Sequence, residues 1–174
     1  MIIGIISDTH GALNQRVEKL FSGVDMIVHA GDLGSMEVLK DLESIAPLLA
    51  VRGNCDRGAL LERLPEKASL ETPAGLLVVT HLPPRGHPPY ERLSPSRAPS
   101  IVVFGHTHFP KILDDGGIIL LNPGSALRGR GAPPTVARMG FDDQGRANIE
   151  FFSLETGLVF PVSMTKRHAH GSSA

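Results

Sequence analysis

The sequence predicts a mixed α/β domain, and two patterns along the chain support this prediction. In the first third, short apolar runs alternate with segments whose apolar residues recur every three or four positions. After residue 60, short β-like segments follow one another, separated by turns rich in glycine, proline and aspartate. We therefore expect parallel strands joined by helices, followed by antiparallel hairpins. We expect a single domain over residues 1–165, with residues 166–174 as a flexible tail.

The first part of the chain contains three strand-like runs and two amphipathic helices. The predicted strands are residues 1–6, 24–28 and 48–51, and the predicted helices are residues 12–21 and 36–45. The continuous apolar run at residues 1–6 is typical of a strand that is buried on both faces. Right-handed crossovers place the carboxyl ends of such strands at one edge of the sheet, which is where ligands bind.

The second part contains short strands and one proline-rich segment. The predicted strands are residues 68–71, 76–80, 101–104, 111–113, 118–121, 135–141 and 147–154. Residues 83–99 contain six prolines and are expected to form an irregular surface loop. His168 and His170 fall in the tail, where we expect them to be solvated rather than to bind metal.

The composition narrows the class of protein. The chain has 174 residues, a formal net charge of −1 and a single cysteine. This charge gives no signal for nucleic-acid binding, and no apolar stretch is long enough to span a membrane. One cysteine excludes an intramolecular disulfide. No basic segment precedes the first apolar run, as it would in a secretory signal peptide. A cytoplasmic protein is therefore expected. The number of subunits is left open, including a homo-oligomer.

Five of the apolar runs end in side chains of the types that bind metal ions. These side chains are Asp8, His10, Asp32, Asn54, His81, His106 and His108. Carboxylate, imidazole and amide donors together suit Mn, Fe, Zn or Ni better than Ca or Mg. Seven donors are too many for one tetrahedral ion and suit two ions that share a carboxylate. Such a pair activates water and stabilises an in-line displacement at phosphorus.

Each of these residues also has an ordinary explanation when it is taken alone. Asp8 could cap a turn, and Asn54 could occupy a left-handed turn. Cys55 could be a small buried residue, and His87 lies in the proline-rich loop, where solvation is the default. His29 is interpreted as a packed or hydrogen-bonded histidine and is not counted as a ligand. The metal site is predicted because five strand-like runs each end in a residue of a metal-binding type, which rarely happens by accident.

The histidines at 106 and 108 would leave the same side of an extended chain, which is a convergent arrangement for metal binding. Glycines beside the candidate ligands would allow tight turns and close backbone approach. These glycines are Gly31, Gly53 and Gly105.

The motifs resemble those of the calcineurin-like metallophosphoesterase superfamily. The matching residues are Asp8-x-His10, Gly31-Asp32, Gly53-Asn54-Cys55-Asp56, His81 and Gly105-His106-Thr107-His108. Together with Asn122-Pro123-Gly124-Ser125, the Gly-Asn-Cys-Asp motif is similar to the small prokaryotic phosphodiesterase branch. The resemblance covers residues 1 to about 154, with every motif in order. It implies a four-layer α-β-β-α sandwich in which two packed mixed β-sheets are flanked by helices.

The resemblance also implies a division of the ligands between two metal ions. By this analogy, Asp8, His10 and His108 hold the first ion, and Asn54, His81 and His106 hold the second. Asp32 bridges the two ions. Two divalent ions are expected, with Mn²⁺ preferred and Ni²⁺, Fe²⁺ or Zn²⁺ as alternatives.

The sequence departs from the family pattern at two positions. Related phosphomonoesterases carry a histidine after the asparagine, where it protonates the leaving oxygen, and Cys55 occupies that position here. A neutral thiol is a poor general acid near pH 7. Many relatives of this branch also have His-Gly-His where this chain has His81-Leu82-Pro83. His81 is kept as the ligand because it ends a strand, and His87 is the alternative.

The resemblance implies a metal-dependent phosphodiesterase in which a metal-bridging hydroxide attacks phosphorus. Asn54 would stabilise charge on the phosphoryl oxygens. Asp56 would orient the metal ligands without binding metal itself. The expected partner is a small phosphodiester, without a membrane. The alternatives are a non-catalytic interaction scaffold of the same fold, as in the similar retromer subunit, and a phosphomonoesterase or phosphoprotein phosphatase.

Overall fold

The computed structural model describes residues 1–84 and 100–167, and within these ranges the strands form two six-stranded mixed sheets. In chain order the elements are β1 (Ile2–Ile6), α1 (Arg16–Leu20), β2 (Met26–His29), α2 (Met36–Ile45), β3 (Leu48–Ala50), α3 (Ala59–Arg63), β4 (Lys67–Thr72), β5 (Gly75–Thr80), β6 (Ile101–Val103), β7 (Lys111–Asp115), β8 (Ile118–Asn122), β9 (Thr135–Phe141), β10 (Ala147–Ser153), β11 (Val159–Phe160) and β12 (Thr165–Arg167).

The first sheet combines the N-terminal strands with the last long hairpin. Its strand order is β11-β10-β9-β1-β2-β3. The strands β1, β2 and β3 are parallel, as the alternation of strands and helices predicted. Strand β9 pairs antiparallel with β1, with Met139 opposite Ile3. The C-terminal hairpin therefore extends the N-terminal sheet, and β1 lies in the interior of the sheet.

The second sheet is mixed, so the expectation of purely antiparallel pairing after residue 60 is wrong. Its order is β12-β7-β8-β6-β5-β4. Residues 81–100 separate β5 from β6, which is long enough for the crossover that parallel neighbours require, and β6 is also parallel to β8. The predicted hairpins β4–β5 and β7–β8 are antiparallel. Gly116 and Gly117, both at positive φ, form the tight turn of the second hairpin.

The two sheets pack face to face around the main hydrophobic core. Ile3, Ile5 and Val28 of the first sheet contact a cluster that includes Leu77 and Ile101 of the second sheet. Ile6 belongs instead to a cluster with α1 and α2 on the other face of the first sheet. Both faces of β1 are thus covered, which explains why its sequence is apolar without alternation.

The three helices of the described residues pack on the outer face of the first sheet. Val17 of α1 and Leu42 of α2 lie in the cluster that contains Ile6 and Ile27, and Leu60 of α3 packs with Ala50 of β3. Helix α2 has the predicted bounds, and the Ser35 hydroxyl accepts the Val38 N–H at its start. Helix α1 begins four residues later than predicted because the loop after β1 continues through a turn. Helix α3 was not predicted.

The prediction of two packed mixed sheets with outer helices is confirmed. Within residues 1–84 and 100–167, no helix packs on the outer face of the second sheet, where Val102, Phe104 and Leu120 are buried. Most of the proline-rich segment, with His87, lies outside the described residues, as do His168 and His170. Lys166 and Arg167, the first residues of the expected tail, pair with β7 as part of β12. No helix in the described ranges is long and apolar enough to cross a bilayer.

Candidate metal centre

The loops that follow β1, β2, β3, β5 and β6 meet at one end of the two sheets. Backbone hydrogen bonds join them: Asp8 N–H donates to the Gly31 carbonyl, and Gly105 N–H donates to the His81 carbonyl, each at 3.0 Å. The seven candidate ligands predicted from the strand ends lie on these loops. Their donor atoms form two neighbouring groups.

The first group contains Asp8, His10 and His108. One donor atom of each lies within 4.8 Å of the others. His108 Nε2 is 3.2 Å from Asp8 Oδ1 and 3.2 Å from His10 Nε2. Two imidazole nitrogens and a carboxylate oxygen that face one point form a donor set suited to a divalent transition metal.

The second group contains Asn54, His81 and His106. The Asn54 side-chain oxygen is 2.9 Å from His81 Nε2 and 2.9 Å from His106 Nδ1. The two imidazole rings meet edge to face, with their centroids 5.3 Å apart. An amide oxygen and two imidazole nitrogens therefore converge here without a carboxylate of their own.

Asp32 lies between the two groups. Its Oδ2 is 3.4 Å from His81 Nε2 and 4.0 Å from His10 Nε2. Its other oxygen, Oδ1, accepts the Cys55 N–H at 2.7 Å. One carboxylate oxygen thus faces a histidine of each group, while the second oxygen fixes the orientation of the carboxylate.

Five candidate ligands have strained backbone. Asp8, His10, Asp32, His106 and His108 have φ between 45° and 68°, and no other non-glycine residue in the described ranges has a positive φ. Left-handed backbone is uncommon for such residues and persists only where the surroundings impose it, often at functional sites. The convergence of the donors is therefore maintained against a local conformational preference.

The left-handed backbone corrects one expectation about His106 and His108. These residues were expected to project together from extended chain, but their φ values are 68° and 59°. The turn separates the two rings, so that His106 faces Asn54 and His108 faces Asp8. This division between the two groups is the one that the resemblance implied.

Backbone carbonyls orient two of the histidines. His81 Nδ1 is 2.8 Å from the Ala30 carbonyl oxygen, and His108 Nδ1 is 3.1 Å from the Arg128 carbonyl oxygen. A carbonyl can only accept, so Nδ1 carries a proton in each ring, and Nε2, which faces the site, offers a lone pair to a metal ion once it is deprotonated. This is the usual support for a metal-binding histidine.

The electrostatics of the centre keep Asp32 ionised. Burial alone would raise the pKa of Asp32, but hydrogen bonds from His81 and Cys55 hold this pKa below its usual range. Burial opposes charge on His81 as well, yet Asp32 and the Ala30 carbonyl raise the pKa of His81. Burial raises the pKa of Asp8. A bound cation would supply the positive charge that these buried carboxylates lack.

Asp56 connects the loops after β2 and β3 without facing the donors. It is fully buried, and its carboxylate accepts the N–H groups of Asp32 at 3.1 Å, Gly53 at 2.7 Å and Gly34 at 2.8 Å. Both of its oxygens are therefore occupied by backbone. Asp56 acts as a positioning residue for Asp32 and Asn54.

Two glycines are required by close approach. A Cβ on Gly53 would lie 2.1 Å from Asp32 Oδ1, and a Cβ on Gly105 would lie 2.0 Å from the Ser7 hydroxyl oxygen. Neither neighbour can move without displacing a candidate ligand, since Ser7 donates its hydroxyl proton to Asp8. The expectation that glycines beside the ligands permit tight packing is met at these positions.

Residues 122–125, which carry the Asn-Pro-Gly-Ser motif, form the turn at the end of β8, and their contacts with the ligand loops were not predicted from the sequence. The Asn122 side-chain amide donates to the Gly105 carbonyl at 2.7 Å and to the Thr107 hydroxyl at 3.0 Å. The Ser125 hydroxyl donates to the Asp8 carbonyl at 2.9 Å. This turn therefore fixes both the loop after β1 and the loop after β6. The complete burial of polar Asn122 and Ser125 marks it in the structure.

His29 is a packed histidine, as expected. Its Nδ1 accepts the Gly31 N–H at 3.1 Å, so the proton lies on Nε2, which is 3.0 Å from the Thr9 hydroxyl. Complete burial lowers the pKa of His29 to about 3. This neutral ring supports the loops after β1 and β2.

The interpretation of Cys55 as a small buried residue is wrong. The residue is exposed, and its sulfur lies within 4.8 Å of donor atoms of His10 and Asp32. A hydrogen bond from the thiol to Asp32 raises the pKa of Cys55, and burial and the nearby charge add to the effect. The thiol is therefore protonated near neutral pH. Its place beside His10 and Asp32 agrees with the position that the resemblance implied for it, directly after Asn54.

The protein is an α/β sandwich of two sheets with imidazole, carboxylate and amide donors at one edge. This combination is typical of metal-dependent hydrolases that act on phosphoesters. Comparison with known proteins agrees with this class. The family model described as the calcineurin-like phosphoesterase superfamily domain matches residues 1–144. The chain belongs to this superfamily.

Similar proteins include a probable metallophosphoesterase of Methanothermobacter thermautotrophicus, 35% identical over 83% of this chain and 88% of that protein. Phosphodiesterase YfcE of Escherichia coli K12 is 31% identical over 74% of this chain and 80% of its own length. The solved structure of wild-type Vps29 complexed with Zn²⁺ from Entamoeba histolytica has a TM-score of 0.73, with 23% identity over 92% of this chain and 96% of that chain. The last similarity concerns the fold alone. The expectation of a metallophosphoesterase enzyme is confirmed by the family and the relatives.

Proposed function

We propose that this protein is a phosphodiesterase with a dinuclear metal centre. The position of Asp32 carries the proposal, because Oδ2 lies 3.4 Å from His81 Nε2 and 4.0 Å from His10 Nε2. Two donor groups that share one carboxylate suit two ions a few ångströms apart. Such a pair, when bound, would supply a bridging hydroxide as the nucleophile and would neutralise charge on the phosphoryl oxygens.

In this proposal the first ion is held by Asp8, His10 and His108, and the second by Asn54, His81 and His106. Asp32 is the bridging ligand. The mixture of nitrogen and oxygen donors favours Mn²⁺, with Ni²⁺, Fe²⁺ and Zn²⁺ as alternatives. His87, the alternative to His81, lies outside the described residues, and the position of His81 beside Asn54 and Asp32 supports its assignment.

The chain supplies orientation and charge around the reacting phosphorus. The Asn54 side chain is exposed, and its amide nitrogen lies 3.4 Å from the Cys55 sulfur. In this proposal the amide N–H turns from the sulfur to a phosphoryl oxygen of the substrate. Asp56 holds the backbone that carries Asp32 and Asn54. The protonated thiol of Cys55 is a weak acid, so the leaving group receives little help from this side chain. Activated diesters are therefore the favoured substrates.

The complete donor set favours catalysis over a purely structural scaffold. A scaffold needs the fold and a docking surface, but it does not need seven donors of which five are held in a strained backbone. The proposal further includes a cytoplasmic location and a small phosphodiester as the substrate, without a membrane or nucleic-acid partner. The single cysteine and the small net charge support this part.

The proposal is tested by metal analysis and a substrate panel. Protein purified without chelator should contain about two equivalents of divalent metal per chain and should hydrolyse aryl phosphodiesters. Metal content measured by mass spectrometry and 4-nitrophenolate release from diesters and monoesters give the two readouts. A metal-loaded protein that hydrolyses no diester would refute the phosphodiesterase, and a single tightly bound ion in the active protein would refute the dinuclear centre.

A further inference from the structure

A groove of about 420 Å³ opens beside the second group of donors. Asn54 and His81, both candidate ligands, are part of its wall, so the groove is continuous with the metal centre. Its volume lies within the range of small-molecule sites, about 300–1,000 Å³. A molecule whose phosphoryl group lay at the centre could therefore extend into this groove.

One side of the groove is apolar. It is formed by Leu82, Pro83 and Pro84, which directly follow the candidate ligand His81. Half of the Leu82 surface is exposed, although the two residues before it, Thr80 and His81, are buried. A single exposed leucine has no meaning by itself. Here it borders a cavity that begins at two metal-binding side chains, which is where a substrate must lie.

The opposite side of the groove is polar, but its guanidinium is already paired. Arg52 donates to Glu66 Oε1 at 2.8 Å and to the Leu61 carbonyl at 3.0 Å. Glu66 and Lys67 complete this side. The charge of Arg52 is offset by Glu66, so this guanidinium does not favour a second phosphate. The apolar side formed by Leu82, Pro83 and Pro84 makes the groove suited to an organic group with an apolar face.

The geometry of the displacement indicates which part of the substrate would occupy the groove. In an in-line displacement the attacking and leaving oxygens lie on opposite sides of phosphorus, and the remaining ester oxygen points to the side. Asn54 and His81 form one flank of the centre, and the groove continues from that flank. We propose that it binds the uncleaved organic arm of a phosphodiester and that Leu82 selects arms with an apolar surface. This proposal rests on the phosphodiesterase function proposed above.

The test compares two diesters that share a leaving group. Phenyl 4-nitrophenyl phosphate and methyl 4-nitrophenyl phosphate both release 4-nitrophenolate, so only the uncleaved arm differs. Leu82→Asn should lower kcat/KM for the phenyl diester roughly five- to tenfold more than for the methyl diester, because apolar contact with the ring is lost. Leu82→Phe should retain the preference. Leu158→Asn is the control, since Leu158 is 69% exposed and does not line the groove.

A binding measurement separates this proposal from the chemistry. Diphenyl phosphate should raise the melting temperature of the Mn²⁺-loaded protein more than dimethyl phosphate does, and Leu82→Asn should abolish the difference while metal content stays unchanged. Equal effects of Leu82→Asn on both diesters, or equal stabilisation of the wild type by both phosphates, would overturn the arm site. If the wild type hydrolyses neither diester, the proposed function fails, and the arm site is then decided by the melting temperatures alone.

Discussion

The two donor groups differ in how the protein holds them. In the first group, Asp8 is fully buried and accepts hydrogen bonds from the Ser7 hydroxyl and the His106 N–H, and its carbonyl accepts from Ser125. In the second group, Asn54 and His106 are exposed, and their side chains contact mainly each other, His81 and Cys55. His81 is the buried and anchored member of that group.

This difference indicates that the first group is organised before metal arrives and that the second depends more on the ion. A donor already fixed by packing and hydrogen bonds loses little conformational freedom on binding. Asn54 and His106 must give up more freedom. We therefore expect the first ion to bind more tightly than the second, and Asp32 to couple the two.

The largest expected effect is that of Asp32→Ala, which removes the carboxylate that faces both groups. Both equivalents of metal should be lost on dialysis, and activity should fall by more than about 100-fold. His106→Ala is the matched variant, since it alters the second group alone and should leave about one equivalent bound. Elemental analysis after dialysis gives the comparison. Two equivalents of Mn²⁺ and full turnover in Asp32→Ala would show that the carboxylate does not bridge.

The second-largest expected effect is that of Asp56→Asn, which tests whether the buried carboxylate holds the loops of Asp32 and Asn54 together. An amide cannot accept the three N–H groups that the carboxylate binds, so Asp32 and Gly53 should lose their fixed positions. Metal affinity should fall by roughly 10- to 100-fold, the range for residues that orient ligands. Titration with Mn²⁺ measures it. The exposed Asp142, which binds Arg146 far from the centre, provides Asp142→Asn as the control. Unchanged metal affinity in Asp56→Asn would mean that the loops are held without it.

Bound metal should also raise the free energy of unfolding of the whole protein. Saturation at about 100 times the dissociation constant contributes about 2.7 kcal/mol per site, and each 1 kcal/mol shifts the melting temperature of a chain of this size by about 2–4 °C. Two bound ions should therefore raise the melting temperature by roughly 10–20 °C, and a chelator should reverse the rise. His106→Ala should keep about half of it if the first site binds independently.

The apo protein should nevertheless remain folded, because the buried contacts between the two sheets do not involve the donors. Far-ultraviolet circular dichroism of a chelated sample at room temperature checks this. An unfolded spectrum would make the metal a requirement for folding rather than a ligand of the folded state.

The candidate donors could be selected from the sequence because they follow local signals. Asp8, His81 and His106 each lie within three residues of the end of an apolar strand, and parallel strands bring such ends together whatever the order of the sheet. The pairing of β1 with β9 was not predictable in this way. It joins residues more than 130 positions apart, and no pattern within either strand specifies the partner.

Other features were missed because they depend on contacts in space. The Asn122-Pro123-Gly124-Ser125 motif is visible in the sequence, but the way in which it holds the site follows only from the carbonyls that it binds on distant loops. The exposure of Cys55 likewise depends on how the loops after β2 and β3 meet. Helix α3 spans only Ala59–Arg63, which is too short for a periodic pattern to be distinguished from a turn.

The smallest expected effect is that of Cys55→Ser, which tests the side chain that lies between Asp32 and Asn54 of the second group. Its backbone N–H, rather than its side chain, makes the 2.7 Å hydrogen bond that orients Asp32, and this bond survives the substitution. The raised pKa keeps the thiol protonated near pH 7, so it is neither a nucleophile nor an effective acid. Diester hydrolysis should stay within a few-fold of the wild type.

Cys55→His should instead improve monoester hydrolysis, since general acid catalysis contributes typically about 10²–10⁴-fold where its geometry is right. The ratio of monoester to diester kcat/KM in the three proteins is the measurement. A wild-type enzyme that already prefers alkyl monoesters to aryl diesters would refute the substrate assignment, while the metal content of Asp32→Ala would still decide the structure of the centre.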